Sequence, residues 1–239
     1  MDDAFGPAEP FTLQTAKKIG HSLIDQLGPQ DVAAVGFTVD YPSAQELTGH
    51  RGRLHSAIDH FDARLVTPGH SVIRTLAELC ELLGNIPERR KVIVYVGAGE
   101  PLDLRVAASM NQMMSSGLAA SPVFSNQIER DKFHSLLSLF SSAQRANVSI
   151  YSLDPTGLRT DANSSATDFL RIVASATGGR VVTENNAPAQ ETPAILRETA
   201  SYYLLGFKPE NQNEDGRFRR LEVKVGRPGV EVRARQVPK

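Results

Sequence analysis

Tryptophan is absent from this 239-residue chain, and aromatic residues make up only 6% of it. A stacking platform for single-stranded nucleic acid is therefore not expected. Net charge is also lacking: 26 Lys and Arg against 27 Asp and Glu leave -1 at neutral pH. Such a balance sets up no field to attract a phosphate backbone or an anionic membrane surface. The single cysteine, Cys80, excludes an intrachain disulfide and any cysteine-based zinc site. It lies in VIRTLAELCELL, where Val72, Leu76, Leu79, Cys80 and Leu83 follow helical spacing, so a buried small hydrophobe is its expected role. No apolar run reaches the length of a membrane span. The opening MDDAFGPAEP is not a signal peptide and reads as a cut end. The chain reads as a soluble protein.

What is present is an ordinary globular composition, 41% apolar and 22% charged, long enough for one large α/β domain with a small appendix. The most informative stretch is KVIVYVGAGE, Lys91 to Glu100. Its apolar residues run without alternation, the habit of a parallel strand buried on both faces. In open α/β sheets the working surface lies beyond the carboxyl ends of the strands. Here that end carries Gly97, Ala98 and Gly99, with no Asp, Ser or His.

Periodicity predicts a helix over 11–27, with Leu13, Ala16, Ile19, Leu23 and Leu27 on one face, and a strand over 32–37. Thr48 is a candidate cap for a helix striped by Leu54, Ala57, Ile58 and Phe61. A helix from Ser71 to Leu83, the strand at Lys91, a helix over 131–145 and a strand over 148–153 follow. A helix over 167–176, a short strand over 180–183 and a helix over 193–199 complete the alternation. This order predicts a doubly wound, mostly parallel sheet flanked by helices across residues 1–200. Beyond it, LEVKV and VEVRA alternate strictly around Gly226-Arg227-Pro228-Gly229, which predicts an antiparallel β extension over 201–239.

The series of motifs resembles the von Willebrand factor type A (VWA) domain, closest to the VWA-related domain described from Acidobacteria. The features that carry it are DVAAVGF, ELTGHRGRLHSAIDHF, the TPGHS turn, RRKVIVYVGAGE, NVSIYSLDPTGL, FLRIVASATGG, SYYLLGFKP and the closing DGRFRRLEVKVGRPGVEVRAR. The resemblance covers nearly the whole chain. It implies a non-catalytic module that recognises a partner protein at the carboxyl edge of the sheet, and an exported or envelope-associated bacterial protein.

Such domains hold Mg²⁺ in a metal-ion-dependent adhesion site, where oxygen ligands leave one position open for a partner carboxylate. Matched to that pattern, Asp2 stands at the first aspartate, Ala4 and Gly6 replace serines, Ser71 stands at the threonine and Ala98 replaces the last aspartate. Asp2 and Ser71, with Asp3 as a substitute, are a poor cage, so the resemblance implies a degenerate site and no bound cofactor. The binding surface expected from it is Asp2, Asp3, Ser71, Gly97, Ala98, Gly99 and Glu100. The family's first, central strand should precede Asp2, where this chain has only Met1. A gap in the middle of the sheet, and reduced stability, are expected.

Other chemistry is weaker. Gly69-His70-Ser71 resembles the nucleophile elbow of α/β hydrolases, with Asp154 and His134 as conceivable partners, but Ile73 replaces the last glycine. A helix cap is the better reading of Ser71. Gly97-Ala98-Gly99 fails the dinucleotide pattern at Leu102. The six histidines show no HExxH spacing and are expected to be surface or satisfied partly buried residues. The irregular segment 102–127, with Met110, Met113 and Met114, is the expected recognition loop.

Overall fold

A computed structural model describes residues 1–4, 10–40, 43–64, 71–87, 90–102, 127–158, 164–200 and 224–226. The expected β extension, apart from 224–226, and the methionine-bearing loop between 103 and 126 lie outside the described residues.

The elements, in chain order, are α1 (Pro10–Asp25), β1 (Ala33–Val35), β2 (Gln45–Thr48), α2 (Arg51–Asp59), α3 (Val72–Gly84), β3 (Lys91–Val96), α4 (Gln127–Ala146), β4 (Val148–Leu153), α5 (Ser164–Thr177), β5 (Val181–Val182), a 3-10 turn (Pro188–Glu191) and α6 (Thr192–Ala200). Strands β3, β4 and β5 form a parallel sheet in that order, with Lys91 opposite Val148 and Val96 opposite Leu153. Strands β1 and β2 form a separate antiparallel pair. The parallel strands connect through helices, as right-handed crossovers require.

Side chains of the sheet alternate between two cores, as the two-residue period of a strand dictates. Tyr95, Val148 and Ile150 join α3, α4 and α5 in one buried cluster. Val96, Tyr151, Leu153 and Val182 join α1, α2, β1 and Ile195 of α6 in the other. Helices therefore cover both faces of the parallel sheet, and the fold is α/β and doubly wound. Polar ties hold the outer layer: Arg180 bonds Glu191 at 2.8 Å and approaches Glu198 at 3.5 Å. Ser22 of α1 meets Thr192 at the start of α6 at 2.6 Å.

Several local expectations are corrected. Strand β3 is fully buried on both faces only at its carboxyl end: Lys91 to Val94 are half-buried, while Tyr95 and Val96 are buried. The reason is positional, because its ladder runs to β4 on one side only among the described residues. Thr48 ends β2 rather than capping α2. His50 is the N-cap, and its ring accepts from the Arg53 amide at 3.4 Å. β2 itself, QELT, was not expected. Gly84 closes α3 from within, followed by Asn85 at the cap.

Gly179 turns the chain from α5 into β5 directly beneath β4. A Cβ there would collide with the carbonyl of Ile150, a backbone atom that has no rotamer to escape into. Gly179→Ala is therefore expected to lower unfolding free energy by about 1–3 kcal/mol, the range of overpacking that forces backbone shifts. Urea unfolding measures this, and an unchanged midpoint would contradict the packing described.

Candidate functional site

The carboxyl ends of β1 and β3 are joined by the first residues of the chain. The Met1 amino group donates to the Gly36 carbonyl at 2.6 Å, and the Asp2 amide donates to the Val96 carbonyl at 2.8 Å. The Arg64 amide donates to the Asp3 carbonyl at 2.7 Å. Met1 to Asp3 thus occupy, at its carboxyl end, the gap expected between the two strand pairs. Burial pushes the Met1 amine below its ordinary range, and the Asp2 and Asp3 carboxylates oppose that shift.

Asp2 and Asp3 are both buried, at 4% and 1% exposure, so each carboxylate must find donors inside the protein. Asp2 Oδ1 accepts from the Thr38 hydroxyl at 2.7 Å and from the Ala4 amide at 3.2 Å. Its Oδ2 accepts from the Tyr95 hydroxyl at 2.6 Å. Asp3 Oδ1 accepts from the Val39 amide at 2.7 Å, and Oδ2 from the Asp40 amide at 2.9 Å. Thr38 Oγ1 also lies 2.8 Å from Asp3 Oδ1, so its one proton serves either acid.

Tyr95 is the hub of this cluster. Burial first, then the adjacent Asp2 carboxylate, hold its hydroxyl well above the usual phenol range, with Glu100 adding to the effect and the Gly99 amide opposing it. The group stays protonated and remains a donor to Asp2. The small residues of the following turn are required by the same crowding. A Cβ on Gly97 would lie 2.5 Å from Asp2 Cβ and from the Tyr95 hydroxyl. Gly99 has φ +88, and a Cβ there would lie 2.5 Å from the Ala166 carbonyl. Ala98, between them, is half-buried.

Ser71 belongs to a second cluster. It occupies the N-cap position of α3, but its side chain makes no cap hydrogen bond. Its hydroxyl instead donates to Glu100 Oε2 at 3.2 Å. Lys132 of α4 lies 3.7 Å from Glu100 Oε1 and donates to the Pro101 carbonyl at 2.9 Å. The expectation of a helix cap is thus corrected: the carboxylate opposite outcompetes the amides of the first turn. No hydrogen bond joins Ser71 to Asp2, and none joins it to His134 or Asp154. Asp154 is engaged by the amide and hydroxyl of Thr156 at 2.9 and 2.6 Å.

The structure therefore brings Asp2, Asp3 and Gly97 together around Thr38 and Tyr95, and Ser71 together with Glu100 around Lys132. Thr38, Tyr95 and Lys132 escaped the sequence reading. Tyr95 was visible only as part of an apolar run. Among the described residues, no group of three or more His, Cys, Asp or Glu is arranged to hold a metal ion. Likewise, no helix among them is long and apolar enough to cross a membrane.

No family model matches the chain, and no curated protein does. Among solved structures it is similar to an aerotolerance-related membrane protein of Bacteroides fragilis carrying multiple mutations to serine. That match has 15% identity, 83% of this chain, 95% of the other and a TM-score of 0.48. It is also similar to a von Willebrand factor type A protein from Catenulispora acidiphila, at 16% identity and a TM-score of 0.43. There the match covers 74% of this chain and 41% of the other, so this chain spans well under half of that protein. The element order and the two helical layers are those of a doubly wound, Rossmann-like α/β fold.

Replacing Tyr95 by Phe removes a donor while leaving Asp2 buried, so unfolding free energy is expected to fall by about 1–3 kcal/mol. Thr38→Val should cost a similar amount. The double variant should deviate from additivity because both act on Asp2. Denaturant titration of the four proteins checks this; strict additivity would separate the two hydroxyls.

Proposed function

We propose that this chain is a non-catalytic protein-binding module that recognises its partner at the carboxyl edge of the sheet. The observation that carries the reading is the commitment of Asp2. Both of its oxygens are taken by hydroxyl donors of the fold, and the residue is 4% exposed. The acid that would anchor a metal or activate a nucleophile serves instead as internal glue.

The residues present do not fit Mg²⁺. Ala98 offers no side-chain oxygen, Ser71 is turned to Glu100, and Asp2 and Asp3 point into a cluster of protein donors. A hard octahedral ion needs several accessible oxygens together. Nor do an acid, a base and a nucleophile converge here as acyl transfer requires, since Ser71 faces a carboxylate and no imidazole. What the edge offers a partner is the half-buried Ser71–Glu100–Lys132 group, with both signs of charge and a hydroxyl. Its natural counterpart is a polar protein surface with a matching basic and acidic pair.

Three measurements test the reading. Immobilised full-length chain is expected to retain a partner that Glu100→Arg releases. Leu82→Glu, eleven residues further along α3 and about 16 Å away by helical rise, should still retain it. Loss in both variants, or in neither, would move the contact away from this edge. Calorimetry with Mg²⁺ and Mn²⁺ is expected to show no saturable heat at this site; micromolar binding lost in Asp2→Asn would restore a metal-dependent mode. Labelling of Ser71 by a fluorophosphonate would replace the whole reading with a catalytic one.

A further inference from the structure

Helices α1 and α2 carry short sequences that match at four of five positions, His21-Ser22-Leu23-Ile24-Asp25 and His55-Ser56-Ala57-Ile58-Asp59. In each, His and Asp stand four residues apart, on one helix face. The two faces meet in a crossed arrangement. His21 Nε2 lies 3.1 Å from Asp59 Oδ1, and His55 Nε2 lies 3.1 Å from Asp25 Oδ1. The rings meet edge to edge, with centroids 5.0 Å apart and planes inclined by 22°. Their Nδ1 atoms face each other at 2.7 Å.

The carboxylates decide where the protons are. An ionised carboxylate is acceptor-only, so each Nε2 must present N–H to it. In a neutral imidazole the other nitrogen is then a bare lone pair. Both Nδ1 lone pairs therefore converge on one point, and at 2.7 Å they repel unless something electrophilic lies between them. One extra proton on one ring is one answer, and leaves two carboxylates against a single positive charge. A divalent cation is the other, and balances both.

We propose that His21 and His55 bind a divalent transition-metal ion, of the zinc, nickel or copper kind, through their Nδ1 atoms. Asp59 and Asp25 sit behind the rings, fixing tautomer and raising ligand basicity. Carboxylate–histidine–metal chains have this construction. Imidazole nitrogen prefers these ions over Mg²⁺ or Ca²⁺. Two Zn–N bonds of about 2.0–2.1 Å at a tetrahedral angle place the nitrogens about 3.3 Å apart. The pair must open by about 0.6 Å from its 2.7 Å separation, and each ring must tilt off the line through the two nitrogens so that its lone pair meets the ion. The rings are 32% and 29% exposed, so solvent or a partner's side chain reaches the remaining positions. Two protein ligands, not a closed cage, make this a recruiting site rather than a structural one. Nearby cations do not occupy it: Lys17 donates to the Asp59 backbone carbonyl at 2.8 Å, and Arg51 to that of Asp25 at 3.3 Å. The proposal is independent of the carboxyl-edge reading.

After treatment with chelator, the full chain is expected to bind one Zn²⁺ or Ni²⁺ with micromolar affinity in calorimetry. The thermal midpoint should rise by several degrees, with Mg²⁺ and Ca²⁺ inactive. His21→Gln or His55→Gln should abolish the effect. Asp25→Asn with Asp59→Asn should weaken binding about 10–100-fold. A variant with His50, His60, His70 and His134 all changed to Gln should bind as the parent does. Should the single variants fail to fold, ¹⁵N spectra of the parent's imidazoles provide the readout: zinc moves two Nδ1 resonances and leaves both Nε2 protonated. No saturable binding, binding that follows the other four histidines, or an unmoved pair sharing one Nδ1 proton would each overturn the proposal.

Discussion

Two adjacent buried carboxylates hold the halves of this sheet in place. Among the described residues, β3 shares a ladder only with β4, and β1 only with β2. Main-chain bonds from Met1 and Asp2 reach Gly36 on one side and Val96 on the other. Burying Asp2 and Asp3 there without partners would cost several kcal/mol each. The loop after β1 repays it, because Thr38, Val39 and Asp40 all donate to these two acids. Tyr95 closes the circle from β3. The loop conformation, the turn after β3 and the approach of β1 to the sheet are consequences of satisfying two charges.

That constraint determines what the carboxyl edge has left for chemistry. Gly97 and Gly99 are small because Asp2, Tyr95 and the Ala166 carbonyl fill the space a side chain would take. They are packing glycines, not a phosphate loop. The exposed resources are displaced outward onto Ser71, Glu100 and Lys132, where a carboxylate already holds the hydroxyl and the ammonium lies alongside. A group of this kind is suited to contact, in which rim charges govern orientation and encounter.

Much of the fold was legible because helices here announce themselves by period. The apolar faces of α1, α2 and α3 matched the residues that are buried: Ala16 and Ile19, Leu54 and Ile58, Leu76 and Cys80. Errors came where tertiary position outweighs local pattern. KVIVYV has the composition of a central strand, yet its first four residues are half-buried; among the described residues only β4 pairs with it. QELT has no apolar alternation and forms a strand through its partnership with β1. Ser71 has the residue type of a cap, but Glu100, far along the chain, takes its hydroxyl. Of the site, Asp2, Asp3 and the glycines could be placed by the order of motifs. Thr38 and Tyr95 could not, since a threonine in a loop and a tyrosine in an apolar run carry no spacing signal. The His–Asp repeat was readable within each helix as a four-residue step; only the packing of α1 on α2 reveals that the two copies face each other.

Both polar clusters solve one problem, the convergence of acceptors inside or at the margin of a fold, and they solve it differently. Around Asp2 and Asp3 the convergent groups are oxygens, and the protein supplies hydroxyl and amide protons from residues already fixed by secondary structure. Around His21 and His55 the convergent groups are nitrogens whose other edges are held by aspartates. Their Nδ1 atoms face each other at 2.7 Å, and the rings are about one-third exposed. A site satisfied from within has no use for a ligand. A site whose lone pairs meet at an accessible point between two negative charges invites a cation from without. Asp2 and Asp3 thus serve as structural glue at the sheet edge, whereas Asp25 and Asp59 stand behind the two imidazoles between α1 and α2.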